Sequence, residues 1–313
     1  MAPGVSHFGR NDSDAADKIL AHGVHAVDAV RKLRRRHFTR RTVALPVRIR
    51  ISRAPASRVP GLPLAAPHGA LLLLRADPNA STTMRLTNRC RSIFLLLKGA
   101  RWLTTGQLKR CFFRHASADA CRKRLRCLTA HGYLIRRQEH RMAQALFTLG
   151  SKGKRVVEEH RAANTSPERR VPKQLEHLLG INDLRIAAVL TDGLGYFYAS
   201  WELSRLGWRH PIIPDALFSL GGRTWAAEFD RGLEGLGFFL RTKLPAYERG
   251  LPGLKLAGVL VIAECPARME SLAHAIGGRP ASFVFATLDA VRRNDLRAPV
   301  FYRPHERKPV TLV

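Results

Sequence analysis

The stretch LRCLTAHGYLIR, residues 125–136, decides how the middle of this 313-residue chain is read. Leu125 and Leu128 lie one helical turn apart, Gly132 stops the helix, and Tyr133 to Arg137 then read as a strand. Upstream, Ser117 can cap a helix over residues 118–131. Its apolar positions Ala120, Cys121, Leu125 and Leu128 share one face, and Arg122, Lys123, Arg124 and Arg126 occupy the other. Before it, Thr104 with Gln107 three residues on has the form of a capping box, opening a helix with Leu108, Cys111 and Phe112 inward. Earlier still, Ile93, Phe94, Leu96 and Leu97 make a short apolar helix that Gly99 should end. Downstream, residues 145–149 (ALFTL) are the partner strand, residues 138–144 a polar hairpin tip, and residues 151–160 a further helix.

Helix, helix, helix, hairpin and helix is the order of a winged helix-turn-helix, which lays its third helix in the major groove and its wing on the backbone. Arg122, Lys123, Arg126, Arg136, Arg137 and Arg141 are therefore the expected DNA contacts, most of them to phosphate. The charge balance agrees independently. The chain has 53 Lys and Arg against 24 Asp and Glu, a net charge of +29. Residues 86–165 hold 18 basic and 4 acidic groups, whereas residues 166–313 hold 20 and 15. A polyanion explains such a field, nucleic acid first and an anionic membrane second.

The remainder of the chain is of a different character. Residues 173–190 read as a helix, and Trp201 as in or near a short strand. Residues 211–218 and 223–230 form a hairpin turned by Gly221 and Gly222. Then follow a helix over 237–247, a fully apolar strand over 256–263, a helix over 268–276 and a last strand over 282–287. The apolar strand suits a sheet covered on both faces. Pro214-Asp215 falls on the second strand, and Glu228-x-Asp230 on the third. Residues two apart on a strand share one face, and a hairpin neighbour can bring Asp215 alongside. Three carboxylates in one place repel each other unless a cation sits among them. Mg²⁺, with Mn²⁺ as substitute, suits Asp215, Glu228 and Asp230 as ligands, and a metal-bound water can attack phosphorus. The plainer alternative is that Asp215 caps a turn while Glu228 and Asp230 pair with Arg231 and Lys243.

This order of elements and acids resembles the PD-(D/E)XK nuclease core. One departure is that Asp230 stands where the motif has lysine. Lys243 from the following helix is the candidate replacement, with Arg241 second. The expected catalytic set is thus Asp215, Glu228, Asp230 and Lys243. Across both halves, Leu103-Thr104-Thr105-Gly106-Gln107-Leu108, His177 with Asn182-Asp183-Leu184, Pro214-Asp215-Ala216 and Glu228-Phe229-Asp230-Arg231-Gly232 resemble the replication-relaxation family of plasmids and other mobile elements. The resemblance implies DNA binding in plasmid replication or DNA relaxation. Two readings stay open: an enzyme that nicks or cuts DNA with Mg²⁺, or a non-enzymatic regulator whose degenerate nuclease fold serves dimerisation or partner binding.

The expected architecture is therefore mixed, α+β or α/β. It has a basic, largely disordered arm over residues 1–85, a winged helix-turn-helix over 86–165 and a restriction-endonuclease-like domain over 170–313. The arm reads as a solvated tail, as a phosphate-gripping arm, or as sequence ahead of a natural start at Met84. Five cysteines without a C-x-x-C pair argue for reduced thiols rather than a disulfide framework. No apolar run is long enough to span a membrane. The expectation is a cytoplasmic protein with DNA as its partner and a homodimer as a candidate assembly.

Overall fold

The computed structural model describes residues 84–138, 140, 143–157, 170–208, 210, 212–277, 283–304, 306 and 308–312. The arm expected over residues 1–85 lies outside them except for Met84 and Arg85, as does Arg141. The described chain is mixed α+β. It begins with α1 (Asn88–Ala100), β1 (Leu103–Thr104), α2 (Thr105–Phe112), α3 (Ala118–Ala130), β2 (Leu134–Arg137), β3 (Leu146–Leu149) and α4 (Ser151–Val157). The expected capping box is present: the Thr104 hydroxyl accepts from the Gln107 N–H, and the Gln107 side chain accepts from the Thr104 N–H. Ser117 caps α3 through the Ala120 N–H. Strand β1 is too short for alternation to reveal, and it pairs with β3 to give a small sheet of order β1-β3-β2.

Next come α5 (Leu175–Leu190), β4 (Leu194–Ala199), α6 (Ser200–Leu203), β5 (Ala216–Leu220) and β6 (Arg223–Asp230). A helical turn, Leu236–Phe238, and a π-helical segment, Phe239–Lys243, lead into α7 (Leu244–Leu254). The chain continues through β7 (Leu256–Ala263), α8 (Pro266–Ile276), β8 (Phe283–Thr287) and α9 (Leu288–Arg293). The large sheet has the order β4-β5-β6-β7-β8. Its first three strands are antiparallel and its last three parallel. Trp201 sits in α6, two residues after the short strand β4 ends, near the strand expected there. The helix expected over 237–247 is interrupted because Pro245 has no N–H for the Arg241 carbonyl. The chain widens there instead, and the Leu244 N–H reaches back to the Phe239 carbonyl.

Helix α5 organises the rest. Buried residues lie all round it from Leu178 to Val189, so no amphipathic stripe marks it. Gly180 lets it press on the sheet, since a Cβ there would lie 2.1 Å from the Phe229 ring. Three of its polar residues, Asn182, Asp183 and Arg185, are buried, and each is bonded outward to another element. Asn182 Nδ2 donates to the carbonyls of Ala100 and Trp102, both at 2.9 Å. Asp183 holds Arg110 of α2 at 3.1 Å and Arg292 of α9 at 2.7 Å. Arg185 pairs with Glu202 of α6. Two further bonds cross the same boundary, from Gln107 Nε2 to the Leu179 carbonyl and from Trp201 Nε1 to the Gly99 carbonyl, each at 2.8 Å.

This boundary also explains Gly99, which lies inside α1 rather than ending it. The helix runs to Ala100 and turns at Arg101, φ 64°. A Cβ on Gly99 would meet the Arg185 guanidinium at 2.6 Å and Glu202 Oε1 at 2.8 Å. A single apolar cluster runs from Ile93 and Leu125 of the first half through α5 to Phe218, Ile262 and Leu312 of the second. A second cluster, including Val259, Val261, Leu272 and Phe285, fills the other face of the large sheet.

Breaking a buried ion pair from one side costs about 3–5 kcal/mol. We expect Asp183→Ala to lose stability on that scale in urea denaturation. The wild type should unfold in one transition seen alike by fluorescence and circular dichroism, because the halves share one core. Gly180→Ala should also destabilise, although alanine favours a helix by about 1 kcal/mol over glycine.

Candidate functional site

On α3 the side chains of Cys121, Leu125 and Leu128 are buried while those of Arg122, Lys123 and Arg126 are exposed. Arg136 and Arg137 at the end of β2 are exposed as well. Arg122 keeps 55% of its side chain accessible even with Asp119 at 2.5 Å. Arg136 bonds the amide oxygen of Gln138. Arg124 and Ala120 depart from the expected faces. Ala120 is exposed. Arg124 turns inward, with its guanidinium 2.8 Å from Cys90 Sγ and 3.1 Å from the Arg85 carbonyl. Cys90, Cys111 and Cys121 are buried free thiols, Cys127 is half-buried and Cys265 is exposed.

The carboxylates gather at the end of the large sheet where β6 finishes. Asp215 precedes β5 rather than lying in it, since the strand starts at Ala216. The register pairing Ala216 with Ala227 brings Asp215 opposite Glu228. Asp215 accepts from the Phe229 N–H at 2.9 Å and pairs with His177 Nε2 of α5 at 3.0 Å. Glu228 is only 3% exposed. Lys243 Nζ reaches it at 2.8 Å, and the Tyr247 hydroxyl donates to its other oxygen. Asp230 is engaged elsewhere: Arg268 forks onto it at 2.9 and 3.0 Å, and the Gly232 N–H donates to it at 2.6 Å. Arg231 joins Glu176 of α5 to Glu264 beyond β7.

The structure thus brings Asp215, Glu228 and Lys243 together and turns Asp230 to Arg268. Arg241 is exposed. Among the described residues no three His, Cys, Asp or Glu side chains are grouped to hold one ion. The set of three carboxylates does not fit a single Mg²⁺ or Mn²⁺, because each already has its own protein donors and Asp230 has a guanidinium on both oxygens. Asp215 and Glu228 are the two that remain side by side.

Their surroundings separate these two acids. Burial, joined by the Asp215 charge, raises the Glu228 carboxyl to about 7 against the opposing pull of Lys243 and Tyr247. Burial pushes Asp215 up too, but the His177 hydrogen bond and charge and the Phe229 N–H outweigh it and leave it below its ordinary value. Burial lowers the Lys243 ammonium, but Glu228, Asp215 and Glu234 together raise it. It therefore stays charged beside a Glu228 that titrates near neutral pH. Two neighbouring acids whose pKa values are pushed apart are the arrangement from which proton donors and acceptors are built.

His177 and Arg268 were not expected in this cluster. Thirty-eight residues separate His177 from Asp215, and only the docking of α5 on the sheet joins them. Tyr247 carried a usable signal, since it follows Lys243 by four residues, about one helical turn.

The replication-relaxation family model matches residues 94–251, from within α1 to within α7. The chain belongs to that family. The matched span of this replication-relaxation protein holds the basic face of α3, helix α5 and Asp215, Glu228 and Lys243. No curated relative and no solved structure matches it at significance. Among the described residues no helix is long and apolar enough to cross a membrane.

Because Glu228 in the folded protein holds its proton up to about 7, against 4.5 ordinarily, its contribution to stability is full below 4.5 and is lost as pH rises through 7. We expect wild-type melting temperature to fall between pH 5 and pH 8 relative to Glu228→Gln, whose neutral amide does not titrate. Parallel melting curves across that range would show that Glu228 is ionised throughout.

Proposed function

We propose that this protein binds duplex DNA in the replication or relaxation of a plasmid or other mobile element. In this reading residues 88–149 are a winged helix-turn-helix, with α3 in the major groove and the β2–β3 hairpin as the wing. The five-stranded unit is a PD-(D/E)XK-like core. The observation that carries the proposal is the exposure of Arg122, Lys123, Arg126, Arg136 and Arg137 on α3 and β2. Membership of the replication-relaxation family supports the same conclusion.

Each phosphate neutralised releases counterions, so affinity should fall steeply with salt. For about six phosphate contacts the loss is roughly 10³-fold between about 50 and 200 mM salt. In a gel-shift titration on mixed-sequence duplex, Arg122→Ala with Arg126→Ala should weaken binding and flatten this salt dependence. Both side chains are exposed, so the melting temperature should not change. A double variant that binds as tightly as wild type would remove α3 as the DNA contact.

The pairing of Asp215 and Glu228 beside Lys243 leaves room for a second reading, nicking of the bound DNA, in which those two acids, without Asp230, would hold the Mg²⁺ or Mn²⁺. Its test is supercoiled plasmid incubated with the protein and Mg²⁺ or Mn²⁺. Open circles that vanish with Glu228→Gln would support it. Plasmid that is shifted but stays supercoiled would leave the nuclease-like core as a scaffold.

A further inference from the structure

Between Asp77 and Glu139 the chain carries 14 Lys and Arg and a single acid, Asp119. That acid stands in the first turn of α3, the helix assigned above to the major groove. It is not needed as the cap, since the Ser117 hydroxyl already accepts from the Ala120 N–H. Nor is it buried, because 88% of its side chain is accessible.

Asp119 Oδ1 accepts from Arg122 Nη2 at 2.5 Å. The two are three residues apart, so they are neighbours on one side of the helix. Arg122 itself remains 55% exposed, and the pair therefore stands out from the protein together. Ala120, exposed in the same turn, adds no bulk that would hold the pair off a surface. A guanidinium carries five N–H donors. Asp119 takes one of them, which leaves others to fork onto the O6 and N7 of a guanine.

On a face that met only phosphates, a carboxylate would be repelled and would weaken binding. At the start of a helix lying in the major groove the neighbours are base edges instead. There the carboxylate has a use. It holds the Arg122 side chain in one direction before contact, so less side-chain freedom is lost on binding.

We propose that Arg122 reads a guanine in the major groove and that Asp119 is the positioning residue that aims it. The inference rests on the DNA-binding reading above and adds a sequence preference to it. The test selects sites from a pool of randomised duplexes with the full-length protein and then compares them by gel shift. Wild type should enrich sites that share one guanine. Replacing that guanine by adenine should weaken binding roughly 5–150-fold, the range of one bidentate contact. Arg122→Ala should bind both versions alike. Asp119→Asn should narrow the difference and bind unselected duplex more tightly than wild type, since a repelling charge is gone. A carboxylate kept only for the positive end of the helix would change the melting temperature on removal and leave the base preference as it was. Selected sites with no shared guanine, or a preference unchanged in Arg122→Ala or in Asp119→Asn, would overturn the readout and leave DNA binding intact. No duplex retained by wild type would overturn the DNA-binding reading and the readout with it.

Discussion

Asp183 sits 5% exposed between two arginines that belong to different parts of the molecule, Arg110 on α2 and Arg292 on α9. A buried carboxylate must be paired, and here it can be paired only if the helical first half, α5 and the end of the large sheet are all in place. Asn182 adds the same demand for the carbonyls that close α1, and Arg185 adds it for α6. Apolar packing alone would tolerate some sliding of one half over the other. These directional contacts do not, and they fix α5 against α1, α2, α6 and α9.

A second consequence runs along the same helix. Its first turns carry Glu176 and His177, which hold Arg231 and Asp215. One rigid element therefore touches the carboxylate cluster at one end and the α3-bearing module further along. Within the cluster charge is countered locally, with Lys243 on Glu228 and Arg268 on Asp230. A set of carboxylates that invites a shared cation is instead divided among separate protein partners. What the arrangement keeps is an Asp215 held below its ordinary pKa next to a Glu228 raised to about 7.

Much of the first half was legible because local signals there act alone. Ser117, Thr104 with Gln107, and Gly132 mark helix ends by the chemistry of their own backbone neighbours, and the structure keeps all of them. Gly99 misled because its glycine serves a close approach by Arg185, 86 positions away, which no local pattern records. Arg124 misled for a like reason: its spacing matches the outer face, but Cys90 and the Arg85 carbonyl draw it inward. In the second half the strands were visible from composition, while the start of β5 shifted past Pro214 and the helix expected over 237–247 broke ahead of Pro245, each proline withholding an N–H. The pairing of Asp230 with Arg268 spans 38 residues and two elements, so the sequence offered Lys243 and Arg231 as partners instead.

The central claim is that this frame holds the exposed face of α3 and β2 against duplex DNA. Amide hydrogen exchange with and without a mixed-sequence duplex tests it most directly. The account predicts slower exchange on DNA binding across residues 118–137, with α5 already slow in both states. Protection confined to the far side of the large sheet, around α8, would contradict it.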